Sequence, residues 1–303
     1  MQMDLVKLRL VGRLRKLLRW RRDRLRALTA WLEPMSNDFD RAPLERAALA
    51  ARIDATARHP DTVGEVAVYS TYCGTLRNLT LDRKNRARDY PHYFVSNNRS
   101  VLKMARALGW KPIFLDLPLS GNPIESAHQA KVAKALPHLF PDLRQHRFLL
   151  YTDDKKSVKY DKYPAIVERL RDSGAAMALQ ESSHIKDNVL WEFTDSLHQP
   201  RYMQQAHQML NYTLEQLEAG KSLQARHLFN TAFIARDMTH PRVNAMNETW
   251  YDDILSCGID CQLAFDFLAQ GWGGDVLALP PAPRKKYLGQ KIEANAPPGS
   301  VGL

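Results

Sequence analysis

The chain has 303 residues, 45% of them hydrophobic, so it can bury the core of one large or two smaller α/β domains and is not a disordered protein. Its formal net charge is +10, but residues 1–33 alone contain ten Lys or Arg and three acidic residues and so supply +7. The remaining +3 does not indicate a nucleic-acid-binding surface over the whole protein. Three cysteines without zinc-site or disulfide spacing favour a reducing compartment, and we expect a cytoplasmic protein.

Residues 1–33 are predicted to form a basic amphipathic helix. Apolar residues recur at steps of three, four or seven, while most arginines fall on the other side. No run approaches the roughly 18 apolar residues needed to span a bilayer, and arginines interrupt any secretory core segment. Three partners remain open: an anionic membrane surface with Trp20 and Trp31 among the headgroups, a protein or this chain's own core, and nucleic acid. We expect peripheral contact with the inner face of a membrane rather than nucleic acid.

The rest of the chain alternates predicted helices and strands. Pro34 ends the first helix, and residues 34–64 are predicted to form a linker and a helix from Leu44 to Ala57. A compact domain is expected over residues 65–279 and a Pro-rich tail over residues 280–303. The predicted strands are Val66–Ser70, Tyr93–Val95, Ile113–Leu117, Phe148–Tyr151, Ala175–Leu179 and Leu228–Ala235. The predicted helices are Val101–Leu108, Ser126–Phe140, Tyr163–Asp172, Pro200–Ala219, Pro241–Ser256 and Asp260–Gln270. This alternation predicts an α/β fold with a mostly parallel sheet flanked by helices.

One strand ends in a pair of acids. The apolar run Phe148–Tyr151 is followed by Thr152, Asp153 and Asp154. Ligands of open α/β sheets collect beyond the carboxyl ends of strands, where paired carboxylates can hold a divalent cation and the phosphates that it carries. The same two acids also suit a turn or a helix cap.

Common catalytic motifs are absent, which narrows the choice of chemistry. There is no G-x-G-x-x-G, P-loop, H-E-x-x-H or G-x-S-x-G sequence, so dinucleotide oxidoreductases, P-loop kinases, zincins and α/β-hydrolases are disfavoured. Without a glycine cradle, a bound diphosphate has to be neutralised by a metal ion or by basic side chains. Lys131 and Lys134 lie three apart and project from one helix face, where they either point into solvent or share an anion. His184 and Arg236 come after two other predicted strands, as Asp153 comes after Phe148–Tyr151.

Several segments, in this order, resemble a family of bacterial and plant GT-A-like glycosyltransferases long known as a domain of unknown function, to which certain plant cell-wall and pollen-tube proteins belong. The resemblance extends from Val66 to about Trp272, roughly two thirds of the chain. The segments that carry it are VAVYSTYCG, YPHYFVSNN, AKVAKALPHLFPD, FLLYTDD, the region of His184, Lys186 and Glu192, FNTAFIAR, and WYDDIL leading to Gln262.

The resemblance implies a GT-A-like fold, a nucleotide-diphosphate sugar donor, and Mg²⁺ or Mn²⁺ held by an acid motif. The motif falls on Asp153 and Asp154, but Lys155 stands at its third position, where a second metal-binding carboxylate is expected. A lysine there can contact the diphosphate directly and partly replace the cation.

A second departure from the family lies near Gln262. The family pattern there is Arg-Asp-Gln, whereas this chain has Asp260, Cys261 and Gln262. If an acid in this region is the catalytic base, it is Asp260, Asp252 or Asp253.

These observations predict a glycosyltransferase that transfers a sugar to a glycan or lipid-linked acceptor near the membrane. The expected catalytic residues are Asp153 and Asp260, the expected metal ligands are Asp153 and Asp154, and the donor is expected to contact Lys131, Lys134, Lys155, His184, Arg236 and Gln262. The alternative is a catalytically inactive GT-A-like protein that binds a membrane or a partner through its N-terminal helix.

Overall fold

A computed structural model describes residues 46–54, 59, 64–75, 89–153, 159–183 and 187–281. Its helices are α1 (Arg46–Asp54), α2 (Arg99–Ala107), α3 (Pro123–Ala135), α4 (Pro141–Arg144), α5 (Tyr163–Ser173), α6 (Leu190–Ser196), α7 (Pro200–Met203), α8 (Ala206–Glu218), α9 (Val243–Cys257) and α10 (Cys261–Trp272). Its strands are β1 (Val66–Thr71), β2 (His92–Ser96), β3 (Lys111–Phe114), β4 (Phe148–Thr152), β5 (Met177–Glu181), β6 (Phe229–Asp237) and β7 (Val276–Leu279). None of these helices is both long enough and apolar enough to cross a membrane. The predicted helix at residues 1–33 and most of the predicted tail lie outside the described residues.

The strands form one seven-stranded sheet in the order β3-β2-β1-β4-β6-β5-β7. Strand β6 runs antiparallel to its neighbours β4 and β5, and every other pair in the sheet is parallel. The predicted α/β class, with a mostly parallel sheet flanked by helices, is therefore confirmed.

The central strand β4 is buried on both faces because helices cover the sheet on both sides. Leu149 and Tyr151 point into the larger apolar core, which α3, α9 and α10 complete. Phe148 and Leu150 point the other way and pack against the apolar face of α5. Side chains alternate between the two faces of a strand, so a continuous apolar run is what a strand covered on both faces requires. Each fully buried large apolar side chain contributes about 1.5–3 kcal/mol.

Some element boundaries differ from the prediction. The helix predicted over 126–140 begins at Pro123 and ends at Ala135, because Pro137 cannot continue the hydrogen-bond ladder and starts a 3₁₀ turn instead. The helix predicted over 200–219 is divided into α7 and α8. Helix α6 and strand β7 were not predicted. Helix α1 places Leu49 and Ile53 in the same core as the sheet, whereas the division of the chain into segments at residues 33, 64 and 279 stays a prediction.

Three pieces of backbone position the candidate site. They are the carboxyl end of β4, the last turns of α3 and the first turn of α10. The turn from α9 into α10 depends on Gly258, whose φ of +98° is strained for residues with a Cβ. A Cβ at this position would also meet the Gln205 amide at 3.0 Å, and that amide accepts a hydrogen bond of 2.9 Å from the Ile259 N–H.

Candidate functional site

Asp153 leaves the carboxyl end of β4 and marks the centre of the candidate site. Its N–H donates to the Ala232 carbonyl at 2.9 Å, which extends the β4–β6 pairing by one residue. Its Oδ1 atom accepts from the Tyr151 hydroxyl at 2.5 Å and lies 3.6 Å from the Lys134 ammonium. The Asp153 side chain is 37% exposed, while its Oδ1 atom is held by Tyr151 and Lys134.

Helix α3 delivers both predicted lysines to this point. Asn122 caps its first turn by accepting from the Ile124 and Glu125 N–H groups, and the helix ends one residue after Lys134. The Lys134 side chain is almost fully buried. Among the described residues its Nζ makes one hydrogen bond, of 3.3 Å to Thr231 Oγ1, and it lies 4.9 Å from the centre of the Tyr151 ring. An ammonium group has three donors, so Lys134 keeps donor capacity beyond the contacts seen among the described residues.

Lys131 lies one turn before Lys134 and donates to Cys261 Sγ at 3.0 Å. Burial alone would lower the pKa of Lys131, but the neighbouring Cys261 and Asp153 raise it above its ordinary value. Lys131 therefore stays charged, and the two ammonium groups form a cationic pair beside Asp153.

Asp260 caps the N-terminus of α10. Its Oδ1 atom accepts from the N–H groups of Gln262 at 3.2 Å and Leu263 at 3.1 Å. The residue is 3% exposed, and burial raises the pKa of its carboxyl against the opposing effects of the Leu263 N–H and Lys131. The observed contacts therefore give Asp260 a positioning role, since it sets the first turn that carries Cys261 and Gln262.

Gln262 connects the site to a half-buried acid on another helix. Its amide nitrogen donates to the Glu192 carboxyl, and its amide oxygen accepts from the Thr231 N–H at 3.3 Å. Burial, reinforced by the negative fields of Asp260 and Asp266, raises the pKa of Glu192 to about 9. Glu192 is consequently protonated at neutral pH and acts there as a neutral hydrogen-bonding group.

Arg236 does not face this site. It is fully buried, and its guanidinium donates to Asn247 Oδ1, the Tyr69 hydroxyl and the Lys134 carbonyl at 2.8–2.9 Å. Strand β6 runs antiparallel to β4, so Arg236 pairs with Leu149 near the start of β4. It therefore lies toward the opposite end of the strands from Asp153. The expectation that Arg236 follows its strand in the same manner as Asp153 is therefore wrong, because it assumed a parallel strand.

The structure thus brings together Asp153, Lys131, Lys134, Asp260 and Gln262. The other predicted site residues, Asp154, Lys155 and His184, lie outside the described residues. Within the described ranges, no group of three or more His, Cys, Asp or Glu side chains is arranged to hold a metal ion. Asp153 has the Lys134 ammonium 3.6 Å away, which disfavours a divalent cation beside this carboxylate, and its predicted partner ligand Asp154 lies outside the described residues.

Three residues of the site were not predicted: Thr231, Cys261 and Glu192. Thr231 is 3% exposed on β6 and joins the site through Lys134 and Cys261, which its sequence position does not reveal. Glu192 belongs to a segment with family resemblance, which marked the region but not its role. In the sequence, Cys261 was noted as a departure from the family pattern and, with Cys257 four residues before it, as one of two buried structural thiols.

No protein-family model matches the sequence, and no curated protein matches it by sequence at a significant level. The resemblance to the particular glycosyltransferase family therefore stays a prediction.

The solved structures to which this chain is similar in backbone fold include glycosyltransferases and a synthetase. Mouse xyloside xylosyltransferase 1 is 11% identical over 72% of this chain and 85% of that chain, with a TM-score of 0.43. Core-mannan synthase A from Aspergillus fumigatus, in an Mn/GDP form, is 14% identical over 75% of this chain and 77% of that chain, with a TM-score of 0.39. CMP:2-keto-3-deoxy-manno-octonic acid synthetase complexed with CTP is 10% identical over 73% and 91%, with a TM-score of 0.40. Similarity at this level assigns no role to any residue of this chain.

Proposed function

We propose that the protein is a nucleotide-sugar-dependent glycosyltransferase that binds the donor diphosphate on the ammonium groups of Lys131 and Lys134, beside Asp153. The observation that carries the proposal is the Lys134 ammonium, 3% exposed and 3.6 Å from Asp153 at the carboxyl end of β4. Burying an ammonium group is costly unless it is well paired. Among the described residues, Lys134 has a 3.6 Å ion pair with Asp153, a 3.3 Å hydrogen bond to Thr231 Oγ1 and the Tyr151 ring at 4.9 Å, and none of these is a short hydrogen bond. An anionic ligand supplies the missing acceptors.

The lysine pair also suits the chemistry of sugar transfer. As the sugar departs, negative charge grows on the nucleoside diphosphate, and fixed cations stabilise that charge more in the transition state than in the ground state. Asp153 holds Lys134 in place and, with the exposed side of its carboxylate, can accept from a hydroxyl of the donor. Removing one well-placed charge-stabilising group typically costs about a hundredfold or more in rate.

Metal dependence is weaker in this proposal than in the family that the sequence resembles. The described residues offer Asp153 with a lysine beside it, which favours stabilisation by lysine over a tightly bound Mn²⁺ or Mg²⁺. The predicted ligand pair of Asp153 and Asp154 remains a prediction. No step of the proposed reaction depends on a metal ion.

Asp260 enters the proposal as a positioning residue rather than as the base. Its carboxyl accepts from two backbone N–H groups of the first turn of α10, which is the contact of a helix cap. Of the other acids considered, Asp253 accepts from the Tyr212 hydroxyl at 2.6 Å, and Asp252 lies 3.4 Å from the Arg46 guanidinium.

The acceptor is proposed to be a glycan or a lipid-linked sugar at the inner face of a membrane. This part rests on residues 1–33, whose basic amphipathic pattern suits an anionic lipid surface. A liposome co-sedimentation assay of the full chain tests it. Binding to vesicles with anionic lipid and not to neutral vesicles supports a peripheral location, and equal recovery in the two supernatants contradicts it.

The transferase proposal is tested by Asp153→Asn. Donor hydrolysis and transfer are measured with a panel of UDP-, GDP- and CMP-sugars, with the exposed Asp161→Asn as the matched control. We expect a loss of activity of about a hundredfold in the folded Asp153 variant and wild-type activity in the control. The melting temperature of the Asp153 variant should fall as well, because the buried Lys134 loses its ionic partner. Full activity of Asp153→Asn would contradict the assignment of Asp153. A wild-type protein that binds and hydrolyses none of the donors would support the catalytically inactive alternative.

A further inference from the structure

Cys261 lies among cationic and polar groups on the floor of the candidate site. Its Sγ atom is 3.0 Å from Lys131 Nζ and 3.4 Å from Thr231 Oγ1, and the same Thr231 hydroxyl accepts from Lys134. Cys261 is also the first residue of α10, where the helix dipole favours negative charge. Two lysines, a hydroxyl and a helix N-terminus therefore converge on one sulfur atom.

A second observation in the same turn concerns Asp260. Its Oδ2 atom is buried and forms no well-aligned hydrogen bond among the described residues, although the Ser196 side chain interacts with the carboxyl and acts to lower its pKa. Lys131 influences the Asp260 carboxyl as well as the Cys261 thiol. A buried carboxyl oxygen without a well-aligned hydrogen bond is costly, and a polar donor brought to this turn would relieve that cost.

The other two cysteines provide an internal comparison. Cys73 is 5% exposed, as Cys261 is, and Cys257 is fully buried, so exposure does not distinguish Cys73 from Cys261. Burial raises the pKa of the Cys73 thiol to about 12, and burial with the nearby Asp260 raises that of Cys257 far above its usual range. Burial also acts to raise the pKa of Cys261, but Lys131 and Lys134 outweigh it and hold that pKa below its ordinary value.

We propose that Cys261 is a reactive thiolate paired with Lys131, and that small thiol-specific reagents modify it before Cys73 and Cys257 and thereby block the anion site. With a methanethiosulfonate, the thiolate attacks the sulfenyl sulfur, a new S–S bond forms, and sulfinate leaves with the electron pair of the broken bond. With a peroxide, the sulfur is oxidised to a sulfenic acid while the O–O bond is reduced and hydroxide leaves. Either product removes the negative charge that pairs with Lys131 and adds bulk beside it.

The effect on ligand binding rests on the proposed function, whereas the reactivity of the thiol does not. A donor diphosphate on Lys131 and Lys134 would draw the ammonium groups away from Cys261. Bound diphosphate should therefore protect the thiol, and modified Cys261 should weaken diphosphate binding.

The test is methyl methanethiosulfonate labelling of the full chain at neutral pH, followed by peptide mass mapping of the three cysteines. Each unit of lowered pKa yields tenfold more thiolate but a less nucleophilic one, a net gain of about threefold. We expect Cys261 to react at least about tenfold faster than Cys73 and Cys257. Comparable rates for Cys261 and Cys73 would overturn the proposal.

Variants of Lys131 separate the ion pair from simple access to the sulfur. Lys131→Met should slow labelling of Cys261 by at least about threefold, and Lys131→Arg, which keeps the charge, should restore it. The exposed Lys103→Met on α2 is the matched control and should leave the rate unchanged. An unchanged labelling rate of Cys261 in Lys131→Met would show that the lysine does not activate the thiol. If this variant failed to fold, Cys73 and Cys257 would become labelled as well, so misfolding can be recognised.

Inorganic pyrophosphate and UDP distinguish this inference from the proposed function. Slower labelling of Cys261 in the presence of either anion supports both the reactive thiol and diphosphate binding at the lysines. Selective labelling that neither anion slows supports the reactive thiol and contradicts diphosphate binding at the lysines.

Discussion

Replacing Glu192 with glutamine should make the protein more stable at alkaline pH. The folded state holds a proton on this half-buried carboxyl up to a pKa of about 9, whereas an unfolded chain releases it near the ordinary value of 4.5. Between these values the folded state binds more protons than the unfolded state, so stability falls as the pH rises from about 4.5 to about 9. Glutamine preserves the hydrogen-bonding shape of the protonated acid beside Gln262 and has no proton to lose.

The size of the effect follows from the pKa shift. One pKa unit corresponds to about 1.4 kcal/mol, and the neighbouring Asp260 and Asp266 share part of the shift. Between pH 6 and pH 9 we therefore expect the free energy of unfolding of the wild type to fall by at least about 1 kcal/mol relative to that of Glu192→Gln. Below pH 5 the two proteins should be nearly equal. Asp266 also has a raised pKa and is present in both proteins, so much of its own contribution cancels in the difference.

Urea unfolding at pH 5, 7 and 9 measures this difference directly. The control is Glu168→Gln on the exposed face of α5, which should follow the wild type at every pH. Parallel pH profiles for the wild type and Glu192→Gln would refute the reasoning, because they would show that Glu192 is ionised in the folded protein as it is in the unfolded chain.

Three further predictions concern single side chains. Arg236→Met should lower the free energy of unfolding by about 3 kcal/mol in urea titrations. The substitution removes a fully buried guanidinium and leaves its three polar partners without their donor. An unchanged free energy of unfolding would contradict the structural role of Arg236. Asp260→Ala should cost about 1 kcal/mol through loss of the α10 cap, and Asp260→Asn should retain most of it; equal losses in the two would argue against capping. Lys134→Met should raise the Kd for pyrophosphate at least about tenfold by calorimetry, while the exposed Lys162→Met should leave it unchanged.

Local patterns predicted the centre of the site because its parts are local. The apolar run Phe148–Tyr151 predicted a covered strand, and the acids after it predicted a polar strand end. The three-residue spacing of Lys131 and Lys134 places them one helical turn apart, and the structure brings both within one site. Distances set by helix geometry can be read from sequence alone.

Features that depend on strand direction and on contacts distant in sequence could not be predicted in this way. Nothing in the sequence of β6 shows that it runs antiparallel. This direction alone places Arg236 toward the opposite end of the strands from Asp153. The link between Glu192 and Gln262 joins residues 70 positions apart, and the pKa of Glu192 depends on burial and on acids from another helix. Strand β7 has four residues, of which three are half-buried, so its alternation is too short to recognise.

The central claim is that the lysines beside Asp153 bind a nucleoside diphosphate without requiring a metal ion. Calorimetric titration of UDP, GDP and CDP into the full chain, each with and without Mn²⁺, tests it directly. We predict that at least one of them binds in the absence of Mn²⁺ and that Lys134→Met weakens this binding. Failure of all three to bind, with or without Mn²⁺, would contradict the claim, and so would binding that occurs only with Mn²⁺.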